Sequence, residues 1–236
     1  MALHPLLNHV AFRAGAAAYD AMTGQDLWRE QIAQVLVHAR PARPRRVLDL
    51  GCGPGVSAFV LARRLGPDTE VVGIDLSPTM IERARAHHRR EHADLRNLSF
   101  QVGDATSLPF DDDAFELAVG HSFLYLVPDR PGVLAEARRV LAPASSIVLL
   151  EPNREGSLVR AGMSTIDQRP QSRHSTTDLL RFASSMVGWR LFSKAAGRLS
   201  PQIVAPLMLE AGFVDPEFHP TLRGLGLHCV GRVPRT

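Results

Sequence analysis

The chain has 236 residues, of which 45% are hydrophobic and 22% charged, and its formal net charge is +3. This length allows one elaborated domain or a domain with an insert, and the composition excludes a disordered or fibrous protein. Apolar runs such as Ile147 to Leu150 are far shorter than the roughly 20 residues of a membrane span. The two cysteines, Cys52 and Cys229, exclude a disulfide framework. No secretory signal opens the chain, so we expect a cytoplasmic location.

Residues 1–45 are predicted to form an N-terminal helical cover. They contain one amphipathic helix, with Asp26 as its expected cap and with an apolar face made of Leu27, Ile32, Val35, Leu36 and Ala39. Residues 46–236 form the main predicted domain, in which β-branched runs alternate with helical patterns. This alternation is typical of an α/β fold with a parallel sheet flanked by helices.

Seven strands are predicted in this domain, at 47–50, 71–74, 98–102, 116–119, 147–150, 213–218 and 227–233. Helices are expected to begin at Ser77-Pro78 and Ser200-Pro201, and Gly212 is expected to close the last one. Pro206 lies inside that last helix and should bend it or remove a hydrogen bond. Residues 152–200 do not follow the alternation and are predicted to be an insert.

A glycine-rich turn follows the first strand of the domain, with glycines at Gly51, Gly53 and Gly55. Glycines let the backbone turn sharply and let a ligand lie directly against it. A dinucleotide fingerprint would need another glycine at Val56, and Pro54 removes an amide N–H that a pyrophosphate would use. The turn therefore favours a nucleotide-type cofactor without phosphates. A purely structural turn is the alternative.

Acidic residues follow the next two predicted strands. Asp75 can accept two hydrogen bonds from a ribose diol, and Asp104 can accept one from an adenine amino group. Alternatively, Asp75 only stabilises the positive end of the helix that follows it, and Asp104 only stabilises a turn. Because the carboxyl ends of parallel strands share one edge, the glycine turn and both acids are predicted to form a single ligand site.

Residues 46–153 resemble the class I S-adenosylmethionine-dependent methyltransferases through the motifs VLDLGCGPG, VVGIDLSPTM, VGDATSLPF, FELAVGHSFLYLVPD and ARRVLAPASSIVLLEPN, in that order. The likeness is greatest to the branch that methylates quinones, lipids and natural products. It implies a Rossmann-like, mostly parallel sheet of seven strands with helices on both faces and an antiparallel last strand. It also implies S-adenosyl-L-methionine as the cofactor and a small-molecule acceptor as the partner.

The resemblance assigns individual residues to the cofactor. Asp75 would hold the ribose, Leu76 and Met80 would flank the adenine, and His121 would lie beside the sulfonium. The full implied set is Tyr19, Asp49, Gly51, Gly53, Gly55, Asp75, Leu76, Met80, Asp104, Ala105 and His121. The chain departs from the family at Ala144 and Ser145, where glycines are usual in the turn before the fifth strand. It also departs at Tyr125 and Leu126, where many relatives have two histidines.

Methyl transfer requires the reacting atoms to be aligned and water to be excluded. A general base helps if the acceptor is a hydroxyl or an acidic carbon, and the catalytic candidates are His121, Tyr125 and Glu151. His121 is the first choice, and as a base it predicts a rate that rises through a pKa of about 6 to 7. The alternative is a histidine that only packs or walls the cofactor. No metal site is predicted, since the H-x-x-E-H pattern at His88 to His92 has no obvious third ligand.

Two other function classes remain. A nucleic-acid methyltransferase would predict an Asp/Asn-Pro-Pro-aromatic loop after the fourth strand, where the chain has Gly120 to Phe123, so nucleic acid is not the expected partner. A non-catalytic regulatory protein that keeps the cofactor site is the other class. The sequence carries no signal for a particular oligomeric state.

The acceptor is expected to be held by residues 1–45 and 152–200, folded over the cofactor as a partly mobile lid. An apolar, water-excluding chamber could be lined by Tyr19, Met22, Trp28, Met163, Phe182, Met186, Trp189 and Phe192. Such a lining favours an aromatic or lipid-like acceptor. The alternative is that these side chains only pack a helix onto the sheet.

Overall fold

The computed structural model describes residues 25–161 and 175–235. The strands are β1 (Arg46–Leu50), β2 (Glu70–Asp75), β3 (Leu98–Val102), β4 (Phe115–His121), β5 (Leu141–Pro152), β6 (Val214–Thr221) and β7 (Gly226–Arg232). The α-helices are α1 (Asp26–Ala33), α2 (Val56–Leu65), α3 (Pro78–Glu91), α4 (Arg130–Val140), α5 (Thr176–Ala196) and α6 (Pro201–Glu210). Short 3-10 helices span Gln34–His38, Leu124–Leu126 and Leu222–Gly224.

The seven strands form one sheet in the order β3-β2-β1-β4-β5-β7-β6. Neighbours from β3 to β5 pair in parallel, whereas β7 is antiparallel to both β5 and β6. The predicted mostly parallel sheet with an antiparallel last strand is therefore confirmed. Leu50 pairs with Ile74 on one side and with Gly120 on the other. The residues that follow these three positions consequently lie side by side at the carboxyl edge of the sheet.

Each face of the sheet carries its own apolar core. One core contains Trp28, Phe59, Ile81 and Trp189 beside strand residues such as Val47 and Leu150. The other contains Leu134, Val204 and Met208 against Leu48 and Leu149. Helices therefore cover both faces, as a sheet of nearly continuous apolar strands requires.

Most predicted helix boundaries agree with the structure. Ser77 caps α3, because its side chain accepts a hydrogen bond from the Met80 amide at 3.4 Å. Gly212, with φ of 89°, follows the end of α6. Pro206 lies within α6. The expected cap at Asp26 is wrong: Gln25 holds the cap position, and Asp26 is the first helical residue, where its carboxylate still faces the positive end of the helix dipole.

The turn expected before β5 is instead part of a long, irregular strand. Phe115 pairs with Leu141, but Leu117 pairs with Ser146, so β5 carries extra residues opposite β4. Ala144 lies among these extra residues with φ of 64°. A non-glycine residue in this left-handed region costs roughly 1 to 2 kcal/mol. The family's usual glycine would be free of that strain.

Replacing Ala144 by glycine should therefore stabilise the fold. We expect the Ala144→Gly variant to raise the free energy of unfolding by about 0.5 to 1 kcal/mol, since the greater freedom of glycine in the unfolded chain offsets part of the relieved strain. Urea denaturation measures the change. Ala142→Gly in the same strand is the matched control and should destabilise. A lower stability for Ala144→Gly would contradict the explanation.

Candidate active site

The glycine-rich turn connects β1 to α2 at the carboxyl edge of the sheet. Gly51, Gly53 and Gly55 have φ values of 63°, 53° and 95°, a region that glycine adopts without strain. A Cβ atom on Gly55 would lie 2.9 Å from the rings of Phe59 and Phe100. Conformation and space therefore both require glycine at Gly55.

Asp75 joins this turn to the start of α3. One carboxylate oxygen accepts a hydrogen bond from the Gly53 amide at 2.9 Å, and the other accepts one from the Ser77 amide at 2.9 Å. Burial raises the pKa of Asp75, and these two amide bonds oppose the rise. Asp75 thus acts at a helix start and also holds the glycine turn in register.

Asp49 lies buried beneath the turn. Its Oδ2 accepts a hydrogen bond from the Ser57 hydroxyl, while its Oδ1 has no hydrogen-bond partner within residues 25–161 and 175–235. Burial raises the pKa of Asp49 to about 7. A buried carboxyl oxygen without a partner is costly, so this edge of the site is prepared for a cation or a hydrogen-bond donor.

The expected adenine-side residues surround β2 and β3 at the same edge. Leu76 is 56% exposed and Met80 is buried. Asp104 is exposed and accepts hydrogen bonds from the Thr106 amide at 2.9 Å and the Thr106 hydroxyl at 2.8 Å. Asp104 thus has the geometry of a turn aspartate, which the sequence left open as the alternative to an adenine contact. Ala105 beside it is half-buried.

His121 is the last residue of β4 and is almost fully buried. Neither ring nitrogen has a hydrogen-bond partner in the described part of the chain. The Ile32 carbonyl approaches the ring and raises the pKa slightly, but burial dominates and lowers it to about 4. This burial, which the sequence does not show, favours a pKa for His121 below the expected 6 to 7. The rate profile and the base role of His121 stay predictions.

The lowered pKa of His121 predicts acid sensitivity. Since its folded pKa of about 4 lies below 6.5, the unfolded state takes up the proton first, and the stabilisation is lost as pH falls from 6.5 towards 4. Between pH 7 and pH 5 the wild type should lose roughly 2 kcal/mol more stability than His121→Leu. Urea unfolding at both pH values measures this. An identical pH dependence in the two proteins would show that His121 titrates normally.

Glu151 and Tyr125 meet around the 3-10 helix Leu124–Leu126. The buried Glu151 carboxylate accepts hydrogen bonds from the amides of Phe123, Leu124 and Tyr125 at 3.2, 2.8 and 3.2 Å. Burial raises the pKa of Glu151 to about 7, although these three bonds lower it. Tyr125 is itself buried. The Glu151 carboxylate therefore organises the segment after β4, and its base role stays a prediction.

Contacts that the sequence did not reveal connect α1 and α5 to this edge. The Trp189 indole N–H donates a hydrogen bond to the hydroxyl of Ser122, the residue directly after His121, at 3.1 Å. Trp28 packs edge-on against Trp189 with 5.7 Å between ring centroids and against Phe182 with 5.9 Å. Aromatic residues in both segments were the available signal, but their partners are far apart in sequence.

The predicted site residues therefore divide into those that the structure brings together and those beyond its description. Gly51, Asp75 and His121 occupy neighbouring positions at the carboxyl edge, as the register of β1, β2 and β4 requires. The expected contacts Tyr19, Met22 and Met163 lie outside the described residues.

Among residues 25–161 and 175–235 no helix is long and apolar enough to cross a membrane. This described part of the chain also contains no group of three or more His, Cys, Asp or Glu side chains that could hold a metal ion.

A family profile described as a methyltransferase domain matches residues 43–193. The chain belongs to this methyltransferase family. The match covers the glycine turn, Asp75, Asp104 and His121 in one continuous segment, so the family assignment and the geometry concern the same site. The resemblance in the sequence motifs is thereby confirmed.

Named relatives of this methyltransferase-family chain are small-molecule and carrier-protein methyltransferases. The chain is 35% identical over 208 residues to a malonyl-[acyl-carrier protein] O-methyltransferase of Halorhodospira halophila, covering 87% of this chain and 61% of that protein. It is 31% identical to nocamycin O-methyltransferase of Saccharothrix syringae, covering 85% and 70%. A 2-phytyl-1,4-naphtoquinone methyltransferase of Synechococcus elongatus is 40% identical, covering 59% and 60%. The chain thus spans about three fifths of the length of two of these relatives.

Solved structures show the same fold. The complex of the Haloferax volcanii Trm112 methyltransferase activator with a putative methyltransferase matches with a TM-score of 0.66 and 22% identity, covering 94% of this chain and 97% of that one. An S-adenosylmethionine-dependent methyltransferase of Aquifex aeolicus matches with a TM-score of 0.62 and 14% identity, covering 91% and 92%. At such identities these structures support the Rossmann-like architecture of the methyltransferase-family chain and nothing more specific.

Proposed function

We propose that this chain is an S-adenosyl-L-methionine-dependent methyltransferase that acts on a small-molecule or lipid-like acceptor. The observation that carries the proposal is the Asp75 carboxylate, which holds the Gly53 amide at 2.9 Å at the carboxyl edge of the sheet. Ligands of open α/β sheets bind at that edge. The family match and the named relatives support a methyl donor as the ligand.

The residues present fit this cofactor in shape and charge. The turn has three glycines in the left-handed region, with the Phe123 ring packed against Gly51, and the unpartnered Oδ1 of Asp49 lies buried beneath it. Asp49, Asp75 and Glu151 add carboxyl groups around an edge that would receive a positively charged ligand. The cofactor supplies an activated methyl group on a sulfonium sulfur. Gly51, Gly53 and Gly55 would line it, Asp75 would hold its ribose, and Leu76, Met80, Asp104 and Ala105 would surround its adenine.

His121 is proposed to face the reacting end of the site. A neutral imidazole is compatible with a neighbouring sulfonium, and burial keeps His121 neutral by lowering its pKa to about 4. Its free ring nitrogen can take a proton from a hydroxyl or acidic carbon acceptor. Glu151 is proposed to position the backbone of Phe123 to Tyr125 around the reacting atoms.

The aromatic cluster of α1 and α5 covers the end of β4. Trp28, Trp189 and Phe182 pack together there, and Trp189 bonds to Ser122. Because Trp28 and Trp189 are buried in the apolar core, they pack the two helices onto the sheet and help to exclude water. The named relatives support a flat or lipid-like acceptor. The division into a cover at 1–45 and a lid at 152–200 stays a prediction.

Titration calorimetry tests the cofactor assignment. We expect S-adenosylmethionine and its demethylated product to bind, and NAD to bind at least about 100-fold more weakly, which corresponds to roughly 3 kcal/mol. The physical reason is that Pro54 lacks the amide N–H that a pyrophosphate would use. Tight binding of NAD, with no detectable binding of S-adenosylmethionine or its demethylated product, would overturn the proposal.

A further inference from the structure

Three histidines lie in one row across the sheet. His121 of β4 pairs with Leu150 of β5, Leu150 pairs with His228 of β7, and His228 pairs with His219 of β6. Residues paired in register project from the same face of a sheet. His121 at the candidate active site therefore shares a face with two histidines further along the sheet.

A fourth histidine extends the row to the protein surface. The His38 ring lies edge-on to His228, with 5.2 Å between centroids, and stacks on His219 at 4.2 Å. The Nε2 atom of His219 is 3.2 Å from the Glu217 carboxylate, and the His219 side chain is 42% exposed. The four histidines thus lead from a buried site to solvent.

The inner part of the row contains polar atoms without partners. Both ring nitrogens of His121 and the Nε2 atom of His228 are buried and make no well-aligned hydrogen bond to residues 25–161 or 175–235, although the Ile32 carbonyl lies near the His121 ring. Two strand spacings separate their Cα atoms by roughly 10 Å, a gap that long side chains and one or two waters can span. Unpartnered buried polar atoms on a shared face are typical positions for ordered water.

We propose that His121, His228, His38 and His219 form a relay that carries the proton released by methylation from the acceptor site to solvent. The inference rests on the proposed function. When an acceptor X–H becomes X–CH3, the S–C bond of the cofactor breaks and the cofactor leaves as a neutral sulfide, so one proton remains. A ring nitrogen of His121 accepts it, and each following imidazole takes a proton on one nitrogen and gives one up from the other. Each ring is then left in its other tautomer and regains the first when it rotates or exchanges its N–H with water.

The surroundings of the relay keep the proton from resting on its inner rings. Burial lowers the pKa of His121 to about 4 and that of His228 to about 3, so neither ring retains the proton. Burial also lowers the pKa of His38, with a smaller effect from His219; Arg232 and Arg40 also lower it, and Glu217 raises it. Glu217 at the outer end, bonded to His219 and Arg232, supplies the negative charge nearest the exit. The inner rings are therefore brief carriers and the surface receives the proton.

The test measures proton exchange at His121 directly and needs neither cofactor nor acceptor. In protein labelled with ¹⁵N-histidine, NMR gives the rate at which the His121 ring N–H exchanges with water. We expect His228→Leu to slow this exchange by at least about tenfold. His38→Phe keeps a ring to stack on His219 but carries no proton, and it should slow the exchange as well. His87→Leu on α3, outside the row, is the matched control and should leave the rate unchanged.

Unchanged exchange at His121 in both folded variants would overturn the relay and show that the proton passes from His121 to solvent without the other three histidines. If His228→Leu does not fold, His38→Phe still tests the relay, because His38 is only half-buried and tolerates substitution better than the buried His228. Calorimetry with S-adenosylmethionine on the same samples separates the two proposals. If the wild type does not bind S-adenosylmethionine, the proposed function is wrong. If it binds normally but the exchange rate at His121 is the same in the variants as in the wild type, only the relay is wrong.

Discussion

Asp75→Ala should weaken S-adenosylmethionine binding by about 1.5 to 3 kcal/mol, which is one to two orders of magnitude in the dissociation constant. The substitution removes a carboxylate that could accept two charge-assisted hydrogen bonds from the ribose diol. It also frees the Gly53 and Ser77 amides, each held at 2.9 Å, so the glycine turn loses its tie to α3. Calorimetry with the cofactor measures the loss.

The matched control for Asp75 is Glu70→Ala, at the other end of the same strand. Glu70 is exposed and pairs with Arg46 at 2.8 Å, a surface ion pair worth at most about 1 kcal/mol. Its removal should leave cofactor affinity unchanged. If Asp75→Ala keeps full affinity while losing some stability, then Asp75 is only an acid at the start of a helix.

The parts of the site that the sequence predicted are those that short motifs specify. The order strand, glycine turn, helix places Gly51 to Gly55 without reference to any other segment. Asp75 and His121 could be placed at the same edge because strands with parallel neighbours end on one side. Strand positions followed from β-branched runs, and the antiparallel last strand followed from the resemblance to the family.

The parts that the sequence did not predict depend on contacts between distant segments. Burial lowers the pKa of His121, and the Ile32 carbonyl that approaches its ring lies about ninety positions earlier in the sequence. The Glu151 carboxylate bonds to amides 26 to 28 residues earlier. His228 reads as one polar residue in an apolar strand, and only the strand order shows that it lies in a row with His121 and His219. Local patterns carry none of this information.

Glu151 offers the second large effect, because its carboxylate satisfies three buried amides at once. These N–H groups open the 3-10 helix Leu124–Leu126, where the helix itself provides no acceptors. Glu151→Ala leaves all three without a partner, and we expect a loss of about 3 to 5 kcal/mol in the free energy of unfolding. Urea denaturation measures it. Glu155→Ala, an exposed acid in the next turn of chain, should change stability by less than about 0.5 kcal/mol.

The glutamine variant then separates a positioning role for Glu151 from a base role. Glu151→Gln retains one carbonyl oxygen, which can accept from two of the three amides, so it should recover more than half of the lost stability. If Glu151 only positions Phe123 to Tyr125, turnover should recover together with stability, because the amide group restores the backbone geometry. A stable Glu151→Gln protein that binds cofactor normally but turns over about 100-fold or more slowly would instead identify a group that accepts a proton in the reaction.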